Sequence, residues 1–171
     1  MSENETSKKI VIAYIDASNI ILSARRAGLD LDLLRLRQYI LDKYRTNEIY
    51  YFTPNLKSTK DENEALIKAG FKIVFKEIYY ENSNTKANCD VEISHYITKH
   101  IENNQVSKLI LLSGDGDFSM LLDYANTNEI KVEVLSTDVK STSYILKKKK
   151  YMILKYLVEL GDKIEKSPAN T

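Results

Sequence analysis

The chain has 171 residues, 43% of them hydrophobic and 29% charged, enough for one domain with a sizeable core. Five Gly and two Pro exclude a collagenous or low-complexity chain, and the lone Cys89 excludes an internal disulfide and fits a reducing cytoplasm. With 25 basic against 24 acidic side chains, the net charge of +1 argues, taken as a total, against a dedicated binder of polyanions.

The opening MSENETSKK is polar and has no signal-peptide core, so residues 1–8 are expected to form a disordered tail. Residues 10–15, IVIAYI, are a β-branched apolar run ended by Asp16 and read as a strand buried on both faces. Leu33, Leu36, Ile40 and Leu41 then share one helical face. A second strand is expected over 48–53, a helix over 60–69 closed by Gly70, and a third strand over 71–79. Residues 81–88, ENSNTKAN, are the most polar internal stretch and read as an exposed loop. Ile93, Ile97 and Ile101 mark another helix, followed by a strand at 108–112, a short helix over 117–127 and a strand at 131–135. No apolar run is long enough to cross a bilayer.

Strands alternating with helical patterns predict an α/β fold, with a mainly parallel sheet of about five strands flanked by helices. One domain is expected over 9–166, and 167–171 as a frayed tail. In such folds the chemistry lies beyond the carboxyl ends of the strands, where strand order reverses. Acids stand at those positions. Asp16 ends the first strand, Asp115 and Asp117 lie in SGDGDF after KLILL, and Asp90 and Glu92 follow the polar loop. Taken singly, Asp16, Asp90 and Asp117 each read as a helix cap ahead of a ligand. Together they would repel one another unless a divalent cation neutralised them, and oxygen-only ligands suit Mg²⁺ or Mn²⁺. Gly114 and Gly116 are expected to let the backbone turn sharply off the buried strand.

The combination of YIDASNI, KANCDVEI and LLSGDGDFSML, in this order over roughly residues 10–137, resembles the NYN domain family, and within it the LabA-like branch of the PIN-like nuclease superfamily. That resemblance implies a Rossmann-like three-layer sandwich and Mg²⁺- or Mn²⁺-dependent hydrolysis of RNA phosphodiesters. It assigns catalytic and metal-binding roles to Asp16, Asp90, Asp115 and Asp117, with Glu92 as a further ligand and Asn19 and Ser113 as polar support. Lys86 matches a basic position that would meet substrate phosphate. The chain departs from the family pattern at Ala87, where Gly is frequent, at Glu92, where a second Asp is frequent, and at His95 and Tyr96, where a helix carboxylate is common. Loss of that last carboxylate bears on whether one metal or two is held.

Residues 139–158 hold six lysines and no acid, which leaves −5 for the rest of the chain. Lys147, Lys148, Lys149 and Lys150 are candidate RNA contacts, with Tyr144, Tyr151 and Tyr156 interleaved as stacking surfaces. A solvated charge run on an ordinary helix is the equal alternative, and the apolar residues among these lysines suit packing on the domain or pairing with a second copy. His95 and His100 have no ligand at zinc spacing. Cys89 reads as a small buried residue, and no glycine-rich nucleotide-cofactor loop is present. The expected function is therefore a cytoplasmic metal-dependent ribonuclease. The alternative is a related module that binds RNA or protein without cutting. A general phosphohydrolase would use the same acids.

Overall fold

The apolar run at the start of the chain becomes β1 (Ile10–Asp16), one of the two central strands of a six-stranded sheet. Its side chains alternate between two cores. Ile12 and Tyr14 enter one, Ala13 and Ile15 the other, as a strand with helices on both sides requires. The computed structural model describes residues 9–78 and 88–167.

After β1 come α1 (Ala17–Ala27) and α2 (Leu33–Tyr44). Gly28 ends α1 in the left-handed conformation, with φ +72°, and the Asp32 carboxylate caps α2 by accepting from the N–H groups of Leu34 and Arg35. β2 (Ile49–Pro54), α3 (Lys60–Lys68) and β3 (Lys72–Lys76) follow. Gly70, at φ +98°, closes α3 as expected: its N–H donates to the Ile67 carbonyl and that of Phe71 to Leu66. The second half comprises α4 (Asp90–Glu102), β4 (Val106–Leu112), α5 (Ser119–Thr127), β5 (Lys131–Ser136), α6 (Tyr144–Lys148) and β6 (Ile153–Tyr156).

The six strands lie in the order β3-β2-β1-β4-β5-β6, and every neighbouring pair is parallel. Helices α1, α2 and α3 pack on one face around Ile20, Leu36, Ile40 and Leu66; α4, α5 and α6 pack on the other around Ile93, Ile97, Leu122 and Leu146. The chain runs outward from β1 to β3, then crosses back to β4 on the opposite flank of β1. The crevice between the carboxyl ends of β1 and β4 is therefore the switch point of the fold.

The structure differs from the sequence reading in three places. β3 stops at Lys76 rather than continuing to 79. Residues 17–27, not singled out by periodicity, form a full helix. The lysine-rich stretch is not one helix: α6 lasts five residues, and Ile153–Tyr156 adds a sixth strand beside β5. Of its apolar residues Leu146, Met152 and Leu157 are buried, whereas Ile145, Ile153 and Val158 stay exposed. Apart from Ser167, the expected tails fall outside the described residues, as do Lys86 and Ala87.

Candidate metal centre

Local geometry fixes each acid separately. Asp16 is the last residue of β1 and also the N-cap of α1, its Oδ1 accepting the Asn19 N–H at 3.2 Å. Its Oδ2 accepts from the Ser113 hydroxyl at 3.1 Å, across the gap to the end of β4. Asp115 caps the turn of 3₁₀-helix over Gly116–Phe118, accepting the Asp117 N–H at 2.9 Å, while its own N–H donates to Ser113 Oγ at 3.2 Å. Asp90 opens α4, and the Asn88 side-chain amide donates to its Oδ2 at 2.7 Å. Asp16 and Asp115 are thus caps as well as members of the cluster, whereas Asp90 and Asp117 lie in the first turns of their helices and cap nothing.

Asp90, Asp115 and Asp117 converge so that one oxygen from each lies within 4.8 Å of the others. Asp16 sits behind this trio, only 3% exposed. Burial pushes its carboxyl up to about 6, and the charges of Asp90 and Asp115 add to the rise against the hydrogen bonds from Asn19 and Ser113. Asp90 is also raised, first by desolvation and then by the charges of Asp115 and Asp117. Three carboxylates at this spacing, each with an oxygen available, are a donor set that fits a hard divalent cation such as Mg²⁺ or Mn²⁺.

Ser113 and Asn19, the residues expected as polar support, both make hydrogen bonds at the strand ends. Ser113 bridges Asp16 and the Asp115 backbone, and Asn19 Oδ1 accepts the Gly114 N–H at 3.0 Å. Glu92 stands apart from the trio: its carboxylate faces Lys76 at 3.5 Å. Gly114 and Gly116 serve a different purpose from the one their type suggested. Neither has positive φ. A Cβ on Gly114 would lie 2.3 Å from the Ser141 carbonyl oxygen, and one on Gly116 would lie 2.4 Å from Ser143 Oγ. They are small because the loop after β5 presses against them.

The lysine run is largely engaged within the fold. Lys149 pairs with Asp123 at 2.6 Å, and Tyr151 donates to the same carboxylate oxygen at 2.7 Å. Lys147 donates to the Val139 carbonyl, Lys148 lies over the Tyr144 ring, and Lys150 is exposed. Lys155 and Lys108 both bind the buried Glu133, which also accepts from the Tyr44 hydroxyl. Reading the lysines as a group counted Lys140 without singling it out, and passed over Lys76. Lys76 ends β3 beside Glu92, and Lys140 lines an open hollow of about 390 Å³ together with Asp115 and Asp117. The rule that singled out the acids, position after the carboxyl end of a strand, points to Lys140 beyond β5 but not to Lys76, which lies inside the strand expected over 71–79.

Other candidates are structural. Burial pushes the Cys89 thiol up to about 12, so it stays protonated. His100 is buried and bonded through Nδ1 to the Tyr14 hydroxyl at 2.8 Å, whereas His95 is exposed on α4. Among the described residues, no helix is long and apolar enough to cross a membrane.

The family profile described as NYN domain matches residues 10–155. The chain belongs to the NYN domain family. This places it among the PIN-like nucleases in ancestry, and the matched span holds the whole acidic cluster. The NYN domain is 26% identical to the Low amplitude and bright protein LabA of Synechococcus elongatus, over 73% of this chain and 72% of that protein. Its fold is that of a crystallised protein of unknown function from Vibrio parahaemolyticus, with a TM-score of 0.68, 22% identity, and coverage of 96% of this chain and 99% of the other.

Proposed function

We propose that this NYN domain is a metal-dependent ribonuclease. The observation that carries the reading is the convergence of Asp90, Asp115 and Asp117 at the β1/β4 switch point of a nuclease-family fold. These three residues would hold Mg²⁺ or Mn²⁺. Such a cation, when bound, supplies an acidified water and offsets the charge that develops at phosphorus during in-line attack.

The protein's own contribution is positional. Ser113 and Asn19 fix the Asp16 carboxylate and the loop bearing Asp115 and Asp117, as groups behind metal ligands commonly do. Asp16 gives up its proton only near pH 6 when no cation is present, so it brings negative charge to the back of the site in the neutral range. Lys76 neutralises Glu92, which leaves the trio as the donor set for a single cation.

That same pairing favours a second reading, a domain that grips RNA without cutting it. One assay separates the two: turnover of single-stranded and structured RNA with Mg²⁺, Mn²⁺ or EDTA, for wild type and Asp115→Asn. Metal-dependent cleavage lost in Asp115→Asn supports the ribonuclease. Equal cleavage by both proteins refutes the proposed centre, and salt-sensitive binding without turnover favours the module.

A further inference from the structure

Taking the acidic centre as a nucleic-acid site, we infer that the segment from Lys140 to Lys148 is the track of the RNA, and that it selects a single strand. Lys140, an exposed side chain, and Ser143 line the same hollow as Asp115 and Asp117. The Ser143 side chain makes no capping bond to α6, although it occupies the N-cap position. The hollow thus has an acidic wall for a cation and a wall offering one positive charge and a hydroxyl, the chemistry that receives a phosphate next to a metal.

The track continues over α6, which packs directly on the acidic turn: a Cβ on Gly116 would lie 2.9 Å from Ile145 Cγ2. At this point the surface turns aromatic and apolar. Tyr144 is 69% exposed, Ile145 47% and Met120, in the first turn of α5, 84%. Lys148 places its ammonium 4.8 Å from the Tyr144 ring centroid. An exposed ring with a cation beside it, next to a phosphate-receiving hollow, is a stacking platform for an unpaired base. In a duplex the base faces are already stacked on one another, so a double strand gains nothing from Tyr144.

The test is fluorescence anisotropy of a labelled RNA oligomer, single-stranded or in a duplex, titrated in Mg²⁺ with RNA integrity checked by gel afterwards. Wild type should prefer the single strand. Tyr144→Ala should weaken single-strand binding by about 5- to 150-fold, the range for one stacked base, with Tyr144→Phe within about twofold of wild type. Lys140→Gln should weaken binding of any RNA and lower the salt slope by about one. Both positions are exposed, and thermal melts confirm that the variants fold. Equal affinity for single strand and duplex, or no effect of Tyr144→Ala, overturns the inference. Strand-selective, Tyr144-dependent binding without cleavage would leave the track standing while the ribonuclease reading fell. Cleavage indifferent to Tyr144→Ala would do the reverse.

Discussion

Asn19 Oδ1 accepts the Gly114 N–H at 3.0 Å, so a side chain in the first turn of α1 holds the loop that carries Asp115 and Asp117. The bond joins the elements that follow β1 and β4, the two strands between which chain direction across the sheet reverses.

Asn19→Ala removes this tie and leaves a half-buried N–H without its partner. The expected loss is about 10- to 100-fold in metal affinity, with little change in secondary structure. Isothermal titration with Mn²⁺ measures it. An unchanged affinity would show that the loop is held by its other contacts alone.

Asp16 contributes to the pH dependence of metal-free stability. Its folded value of about 6 lies above the ordinary 3.8. The stabilisation it gives is therefore fully present below about pH 4 and is lost as pH rises through 6. At 1.36 kcal/mol per pH unit, the ionised form costs about 3 kcal/mol in the neutral range. Asp16→Asn keeps the neutral shape, so its melting temperature in EDTA should overtake that of wild type between pH 4 and 7. The difference between the two proteins is the quantity to follow. His100, held below its usual value by burial, titrates with the opposite sign in a nearby window and is common to both.

A divalent cation should reverse that penalty. At one hundred times its Kd, a bound ligand adds about 2.7 kcal/mol, roughly 5–10 °C in melting temperature for a chain of this size. The shift with Mn²⁺ should be larger at pH 7.5 than at pH 5, because Asp16 and Asp90 compete for protons at the lower value. Asp115→Asn should abolish most of it. An equal shift in wild type and variant would place the cation elsewhere.

Gly114→Ala sets a methyl 2.3 Å from a backbone oxygen and 2.6 Å from Ser136 Oγ, a clash that only main-chain movement relieves. We expect a loss of about 1–3 kcal/mol by denaturant melting, together with weakened Mn²⁺ binding, since the same backbone carries Asp115. Gly28→Ala is the contrast. Its neighbourhood is open, and only the φ of +72° resists it, so it should cost about 1 kcal/mol and leave metal affinity intact.

Much of this was readable from residue order alone. IVIAYI and KLILL announced buried parallel strands, and the rule about strand ends put Asp16 and Asp115 where a parallel sheet brings carboxylates together. The charge partners were not readable. Lys149 finds Asp123, Lys155 finds Glu133 and Lys76 finds Glu92, each across more than 15 residues of chain, and local pattern carries no record of such pairs. Glu133 is the clearest case. A lone acid among apolar strand residues gives no sign that two lysines and Tyr44 surround it. Burial alone would raise its carboxyl, but those three donors together hold it below the ordinary value. The net charge of +1 concealed the same thing, because it counted lysines already committed to the interior.

The glycines at 114 and 116 set the width of the hollow in a particular way. At Gly114 main chain rests against main chain, its carbonyl accepting the Ser143 N–H and the Ser141 carbonyl facing its Cα, whereas at Gly116 the Ser143 and Ile145 side chains close the gap. At the Gly114 end, rotamers on the facing loop do not set that distance. The charge and hydrogen-bonding character of the hollow can therefore change, residue by residue, while its calibre stays the same. A ligand is gauged first by its girth, and only then by its chemistry.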